Sequence, residues 1–152
     1  MGTSEIVGTL AGIDLFAGLS PKVLGRIADS GHEAEYGPGA SVVVQGDSVS
    51  GFKAFSPTGV EMHVVLSGGA QVSVNGSPVA LLGPGAYFGE LSLIDGGPRS
   101  ADVAAGAEGL TTLALSKWTF EDLLDKHPEI ALPILRVVVA RLRAHEASSD
   151  AG

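Results

Sequence analysis

From Glu33 to Leu115 the sequence alternates short apolar runs with turn residues, and this alternation restricts the chain to strands joined by tight turns. Asn75-Gly76 is the strongest turn signal, because a type I′ hairpin turn requires positive φ at both central residues. The 22 glycines occur singly and in pairs without a fixed period, which excludes collagen-like and low-complexity sequence. The sequence therefore predicts an all-β core.

The predicted strands are short, and turns rich in glycine separate them. The turns are predicted at Tyr36-Gly37-Pro38-Gly39, Gln45-Gly46-Asp47, Ser67-Gly68-Gly69 and Gly83-Pro84-Gly85. The strands are predicted at Ser41–Val44, His63–Leu66, Ala70–Val74, Val79–Leu82, Ala101–Ala105 and Leu110–Leu115.

A helical segment is predicted before the strands, over residues 4–30. Ser20 and Pro21 are typical of an N-cap followed by a proline in the first turn. Gly31 is expected to end this helix. The apolar residues between them share one helical face, and they are Val23, Leu24, Ile27 and Ala28.

Two helices are predicted after the strands, and Ser116 is the predicted N-cap of the first. His127-Pro128 is expected to separate them, because the residue before a proline disfavours the helical region. Pro133 is expected to kink the second helix, since it lacks a backbone donor. The small and polar residues 147–152 are expected to be frayed. The apolar face of the second helix contains Ile130, Ile134, Val138 and Leu142.

Composition excludes several kinds of site and partner. The chain has no cysteine, so disulfides and thiolate metal sites are excluded, and its four histidines are too widely separated to predict a metal site. The net charge of −8 disfavours nucleic acid as a partner, and the cluster Arg136, Arg141 and Arg143 is interpreted as a solvated helix face. No stretch approaches the ~20 apolar residues of a membrane span, and no signal peptide is recognised, so the expected location is the cytoplasm.

The segment FGELSLIDGGPRSA, residues 88–101, is suited to binding an anion. A strand ends at Gly89 and a short apolar helical turn begins at Glu90, so the first N–H groups of that turn are unpaired and partly positive. Gly89 lets an anion approach the backbone closely. Arg99 adds a forked donor suited to two phosphate oxygens, and Ser100 adds a hydroxyl.

Glu90 does not suit a site that binds only an anion. Its carboxylate is explained if the ligand has a hydroxyl donor beside its phosphate, as a ribose 2′-OH would be. The alternative for Glu90 and Arg99 is a structural ion pair at the edge of a strand.

This segment resembles the phosphate-binding cassette of the cyclic-nucleotide-binding domain family. The family pattern is Phe-Gly-Glu, a short apolar helix, a small turn and then Arg-Ser/Thr/Ala-Ala. The matching residues here are Phe88, Gly89, Glu90, Leu91, Arg99, Ser100 and Ala101. Leu15–Ser20 is similar to the helix that leads into the family's roll, and Phe120–Pro128 is similar to its last helices, so the resemblance covers about Ile13 to His145.

The resemblance implies a mainly β fold, an eight-stranded antiparallel β-roll or jelly roll with an N-terminal helix and a C-terminal helix pair. One domain is expected, with a helical lead-in at 1–31, the roll at 32–115, helices at 116–146 and a tail at 147–152. Ligand binding is expected to move the last helix, which would act on a separate effector protein or on a homodimer formed through that helix.

The resemblance also implies a role for each cassette residue. Arg99 would pair with the cyclic phosphate, assisted by Ser100 and the N–H of Ala101. Glu90 would accept from the ribose 2′-OH, and N–H groups near Gly89 and Leu91 would complete the site. The expected ligand-binding residues are Phe88, Gly89, Glu90, Leu91, Ser92, Arg99, Ser100, Ala101 and His145.

The ligand base is the part of the site that the resemblance defines least. In the catabolite-activator branch two polar residues of the last helix reach the base, and the corresponding positions here, His145 and Glu146, differ in type. The expected ligand is cAMP. cGMP is the alternative, because a hydroxyl at the Ser100 position contacts a guanine amino group in some family members and a phosphate in others.

Two features depart from the family. The region Ser48–Glu61 is longer than usual, and it is either a tolerated surface insertion or a loop that shields the site or contacts a partner. Asp102 adds a negative charge just after the cassette, and strand alternation relative to Ala101 predicts that it faces away from the phosphate.

Two other functions are considered beside nucleotide sensing, a cupin-type enzyme and a protein-interaction scaffold. A cupin-type enzyme requires a His-x-His pair, and the sequence contains none, so no catalytic site is expected. A degenerate roll that serves as a protein-interaction scaffold without nucleotide remains the alternative, although the spacing of Glu90 and Arg99 argues against it.

Overall fold

The computed structural model describes residues 2–44, 46, 61–90 and 101–151. Helices precede and follow a single antiparallel sheet. The leading helices are α1 (Thr3–Ala11) and α2 (Pro21–Ser30), with a 3-10 turn at Asp14–Phe16. The strands are β1 (His32–Tyr36), β2 (Ser41–Val43), β3 (Glu61–Val74), β4 (Ser77–Leu82), β5 (Tyr87–Phe88) and β6 (Asp102–Ser116). The final helices are α3 (Lys117–Lys126) and α4 (Ala131–Ala151), joined through a 3-10 turn at Pro128–Ile130.

Local capping signals account for where the helices begin. The Ser20 hydroxyl accepts a hydrogen bond from the Val23 N–H at 3.2 Å, directly before Pro21 in the first turn of α2. The Ser116 hydroxyl accepts from the Thr119 N–H at 3.1 Å at the start of α3. Both predicted N-caps are therefore confirmed.

The strand β6 is central to the described sheet. The sheet order is β1-β6-β3-β4, with β2 also paired to β6 and β5 also paired to β3, and every pairing is antiparallel. The β3–β4 hairpin turns at Asn75 (φ 52°) and Gly76 (φ 81°), as the sequence predicted for a type I′ turn.

The two longest strands differ from the prediction. The sequence predicted separate strands on either side of Ser67-Gly68-Gly69, whereas β3 continues through these residues. Gly68 has a φ of 76°, so the strand bends there while the Gly68–Leu110 pair with β6 is kept, and the register shifts before Ala70. β6 likewise joins the two predicted strands at 101–105 and 110–115. Because β3 and β6 each contain two predicted strands, six described strands are compatible with a roll of eight.

Residues 62–66 of β3 are buried on both faces of the strand, and each face contributes to a different core. Its first face contacts the helices in a cluster that we call the helix-side core, with Met62, Val64 and Leu66 against residues such as Phe16 and Ile27. The opposite face contributes to the roll interior, which consists of Val43, Val65, Ala70, Phe88, Val103, Ala105 and Leu110. β3 therefore shows a continuous apolar run rather than alternation.

The C-terminal helices confirm one expectation and change two. α3 ends at Lys126, and His127-Pro128 separates it from α4 as predicted. Pro133 does not interrupt α4, because it lies in the first turn, where backbone N–H groups have no helical acceptor. The tail expected from residue 147 has helical backbone in the structure, because α4 extends through Ala151; the fraying expected there stays a prediction. None of the helices in the described ranges combines the length and apolarity of a membrane span.

Candidate functional site

The two ends of the predicted cassette are both attached to β3. At the first end, β5 pairs with β3 through Phe88 and His63. At the other end, β6 begins at Asp102, which pairs with Ser73 of β3. The sheet therefore fixes where the segment between Phe88 and Asp102 leaves and rejoins it.

The first end of the cassette has the predicted change from strand to helix. Gly89 has a φ of 86°, and Glu90 directly after it begins a helical turn. A side chain at Gly89 would cost about 1–2 kcal/mol in this left-handed conformation, so glycine permits the sharp turn. Residues 91–100 of the cassette lie outside the described residues, so the anion-binding N–H groups expected there stay a prediction.

Part of the predicted site lies outside the described residues. Leu91, Ser92, Arg99 and Ser100 are in this part, as are residues 48–60 of the long region Ser48–Glu61. Ala101 is half-buried immediately before β6. The backbone of His145 lies in α4, and its side chain is outside the described part of the chain. The roles expected for these residues therefore stay predictions.

The roll interior presents an apolar surface beside the start of the cassette. Phe88 belongs to it directly, and the small side chains of Ala70 and Ala105 are fully or almost fully buried. Half-buried apolar residues pack around it, and they are Tyr36, Val42, Val72 and Leu82. An apolar wall next to a turn suited to anions fits a ligand that has a flat, weakly polar part and a negative charge.

Asp102 lies on the opposite face of β6 from this apolar surface. Val103 and Ala105 are buried in the roll interior, whereas Asp102 and Ala104 alternate with them and are half-buried. Strand alternation thus directs the Asp102 carboxylate away from the interior.

His63 is a residue of the site that the sequence analysis missed. Its ring stacks on Phe88, with centroids 5.0 Å apart and planes inclined by 16°. Its Nδ1 lies 2.9 Å from the Thr112 hydroxyl, and Tyr36 contacts the ring edge-on at 6.2 Å. Only 4% of His63 is exposed. A polar residue in the run MHVVL was the available signal, but its partners are on three other strands.

Tyr36 remains protonated in the neutral pH range. Burial raises the pKa of its phenol, and the nearby Glu61 carboxylate raises it further. The Tyr36 hydroxyl therefore adds no negative charge next to the roll interior. Tyr87 on β5 points the other way, into the helix-side core, and its hydroxyl donates to the Asp14 carboxylate at 2.8 Å.

The described histidine and carboxylate side chains do not gather into a metal site. No group of three or more such ligands converges among the side chains that the structure describes. His32 pairs with Glu61, and His127 pairs with Glu129 at 3.2 Å. The chemistry that this region supports is binding through backbone donors and apolar contact.

Comparison with known proteins identifies a family and relatives. The family model of the cyclic nucleotide-binding domain matches residues 33–127. A cyclic nucleotide-gated potassium channel from Mesorhizobium japonicum is 35% identical over 140 residues, which are 92% of this chain and 36% of the channel. The cyclic AMP receptor protein from Thermus thermophilus is 30% identical over 141 residues, which are 93% of this chain and 62% of that protein. The chain thus spans less than two thirds of the length of either relative.

A solved structure extends this similarity to the fold. The N-terminal domain of a transcriptional regulator from Streptomyces coelicolor A3(2) matches with a TM-score of 0.74 and 30% identity, over 92% of this chain and 93% of that one. The likeness confirms the predicted architecture, a mainly antiparallel β-roll with flanking helices.

Proposed function

This chain belongs to the cyclic nucleotide-binding domain family, and we propose that it is a regulatory module whose ligand is cAMP. The observation that supports this most is the position of the turn at Gly89 and Glu90 within the matched residues 33–127. There Gly89, with its positive φ, and the helical backbone of Glu90 directly follow the strand β5, whose Phe88 belongs to the apolar roll interior. The similar protein from Thermus thermophilus is a cyclic AMP receptor protein. This similarity is the reason that we propose cAMP rather than cGMP as the ligand. We assign the module to the cytoplasm.

The proposed contacts use both ends of the cassette. Arg99 pairs with the cyclic phosphate, and the Ser100 hydroxyl and the Ala101 N–H add donors. Glu90 accepts from the ribose 2′-OH. The N–H groups of the turn, near Gly89, Leu91 and Ser92, complete the cradle. The base lies against the apolar interior next to Phe88, and His145 is the proposed contact to the base.

Calorimetric titration of the purified protein with cAMP and with cGMP tests this function directly. We expect saturable binding of both nucleotides with the lower Kd for cAMP. If the folded protein binds neither nucleotide, the proposal fails. A scaffold function would then be the better explanation, with the 48–61 loop as the first surface to examine. Tighter binding of cGMP would keep the module and reverse the ligand assignment.

The helix α4 is the proposed output element. Ile134 is buried and Val138 packs against the helix-side core, so α4 reports on the packing of that core. Its other side is exposed and apolar. We propose that nucleotide binding moves α4 and thereby acts on the partner of this helix, which is either a second copy of the chain or a separate effector protein. Arg136 and Arg143 are exposed on the same helix, but the net charge of −8 disfavours nucleic acid as the partner.

We further infer that two copies of the chain pair through α4. Its exposed apolar residues repeat at alternating intervals of three and four, which is the spacing of a coiled-coil seam. Their exposed fractions are 40–56%, large for apolar side chains. These residues are Leu132, Leu135, Val139 and Leu142.

Val139→Glu is expected to convert the dimer into a monomer, because it places a charge in the middle of the seam. Light scattering coupled to size exclusion measures the mass of the variant and of the native protein. Val79→Glu is the matched control, since Val79 is 60% exposed on β4, away from α4. A monomeric native protein, or a Val139→Glu variant that stays dimeric, contradicts this pairing.

A further inference from the structure

We propose that His63 is a positioning residue for the nucleotide site, because its ring holds Phe88 and so fixes where Gly89 and Glu90 begin the cassette. This inference rests on the proposed function, since it concerns how the same site is kept in shape. His63 has no contact with the nucleotide in this proposal, and it acts through Phe88.

Phe88 is the last packed residue before the turn into the cassette. β5 is two residues long, and backbone bonds to β3 together with the buried Tyr87 hold the chain up to the residue before Phe88. Gly89 has no side chain, and Phe88 is therefore the last side chain that packs before the turn. His63 and Phe88 are register partners on adjacent strands, and their rings stack at 5.0 Å. The ring contact thus fixes the orientation of the Phe88 side chain at the start of the cassette.

The His63 ring is itself held in place by residues of two other strands. The hydroxyl of the fully buried Thr112 of β6 lies 2.9 Å from the Nδ1 atom of His63. Tyr36 of β1 packs edge-on against the ring. β6 is also the strand that receives the end of the cassette at Asp102. His63 therefore links the start of the cassette to the strand that carries its end.

The imidazole of His63 has two properties, the flat ring that stacks on Phe88 and the hydrogen bond to Thr112, and substitution separates them. Phenylalanine at position 63 keeps a planar ring over Phe88 but leaves the buried Thr112 hydroxyl without this partner. Leucine fills part of the volume but provides neither the flat stacking surface nor the hydrogen bond. If His63 is a positioning residue, the affinity for cAMP depends on the stacking ring alone. The thermal stability depends on both the ring and the hydrogen bond.

The experiment measures cAMP affinity and thermal stability for the native protein, His63→Leu, His63→Phe and a matched core variant. Met62→Ala is that core variant, because Met62 is the fully buried neighbour of His63 whose side chain faces the helix-side core instead. His63→Leu is expected to raise the Kd for cAMP by roughly threefold to tenfold. His63→Phe is expected to restore the native Kd with a lowered Tm, and Met62→Ala to lower the Tm with the native Kd.

Other results overturn the inference. Native affinity in His63→Leu shows that the stack does not position the site. Equal loss of affinity in His63→Leu and Met62→Ala shows that binding merely follows stability. Failure of the proposed function is distinguishable from failure of the positioning role, because the native protein would then bind neither cAMP nor cGMP.

A second measurement decides the positioning role without nucleotide. In the ligand-free protein, hydrogen exchange at the Gly89 and Glu90 amides is expected to be faster in His63→Leu than in Met62→Ala. Equal exchange in the two variants overturns the role whether or not nucleotide binds.

Discussion

Arg99→Ala is expected to weaken cAMP binding by about 30-fold to several thousand-fold. Removing one partner of a buried, hydrogen-bonded charge pair costs about 2–5 kcal/mol, and each 1.4 kcal/mol is about tenfold in Kd. The cyclic phosphate keeps its negative charge when Arg99 is absent, so its lost hydration is then left without compensation. Calorimetric titration with cAMP measures the change, and thermal denaturation confirms that the variant is folded.

Two control variants make this result specific. Arg26→Ala removes the same charge from the exposed side of α2 and is expected to bind cAMP as the native protein does. Arg99→Lys keeps the charge but loses the forked geometry, so an intermediate Kd is expected. Native affinity in Arg99→Ala would mean that the phosphate is held elsewhere and would reject the proposed contact.

Gly68→Ala is expected to lower stability by about 2–5 kcal/mol through two separate effects. A Cβ at this position would meet the Gly109 carbonyl oxygen and carbon at 2.2 and 2.9 Å, and both are backbone atoms. Such overpacking costs about 1–3 kcal/mol. The φ of 76° adds about 1–2 kcal/mol for a residue with a side chain. At roughly 2–4 °C per kcal/mol for a chain of this size, the Tm should fall by roughly 5–20 °C.

Gly76→Ala separates these effects, because Gly76 has nearly the same φ, 81°, and no atom within 4 Å of an added Cβ. Only the conformational cost of about 1–2 kcal/mol is expected there. Thermal denaturation monitored by circular dichroism compares the two variants. Equal losses would show that β3 and β6 separate at Gly68 at little cost, contrary to the close approach seen in the structure.

Short-range features of the fold could be predicted from the sequence. The capping serines Ser20 and Ser116 act within three residues, and the Asn75-Gly76 turn depends on two adjacent φ values. The break at His127-Pro128 also follows from neighbouring residues. In each case the deciding interaction lies inside one turn of chain, so residue type alone is informative.

The continuity of β3 could not be predicted in the same way. Ser67-Gly68-Gly69 has the composition of a loop, but pairing with β6 keeps these residues in the sheet. Whether a glycine pair ends a strand or bends it depends on the partner strand, which lies some forty residues away in sequence. Tertiary pairing therefore overrides the local turn preference.

The candidate site also contains one feature that the sequence predicts and one that depends on strand pairing. Gly89 and Glu90 were predicted from the cassette pattern, and the structure has the expected turn there. The stacking of His63 on Phe88 joins residues of two strands, and its support from Thr112 comes from a third. No spacing rule within the sequence connects these positions, so only the folded sheet reveals the contact.

The central position of β6 determines when this sheet can form during synthesis. β6 is the last described strand to leave the ribosome, yet β1, β2 and β3 all pair with it, and His32 meets Ala114. At about 5–20 residues per second, β1 waits several seconds for its partner. Among the described strands, the β3–β4 hairpin and the β3–β5 pair are the pairs that have both strands available during that time. Nascent chains that stop before β6 should therefore depend on chaperones and be cleared rapidly, whereas completed chains should close the whole sheet in one late step.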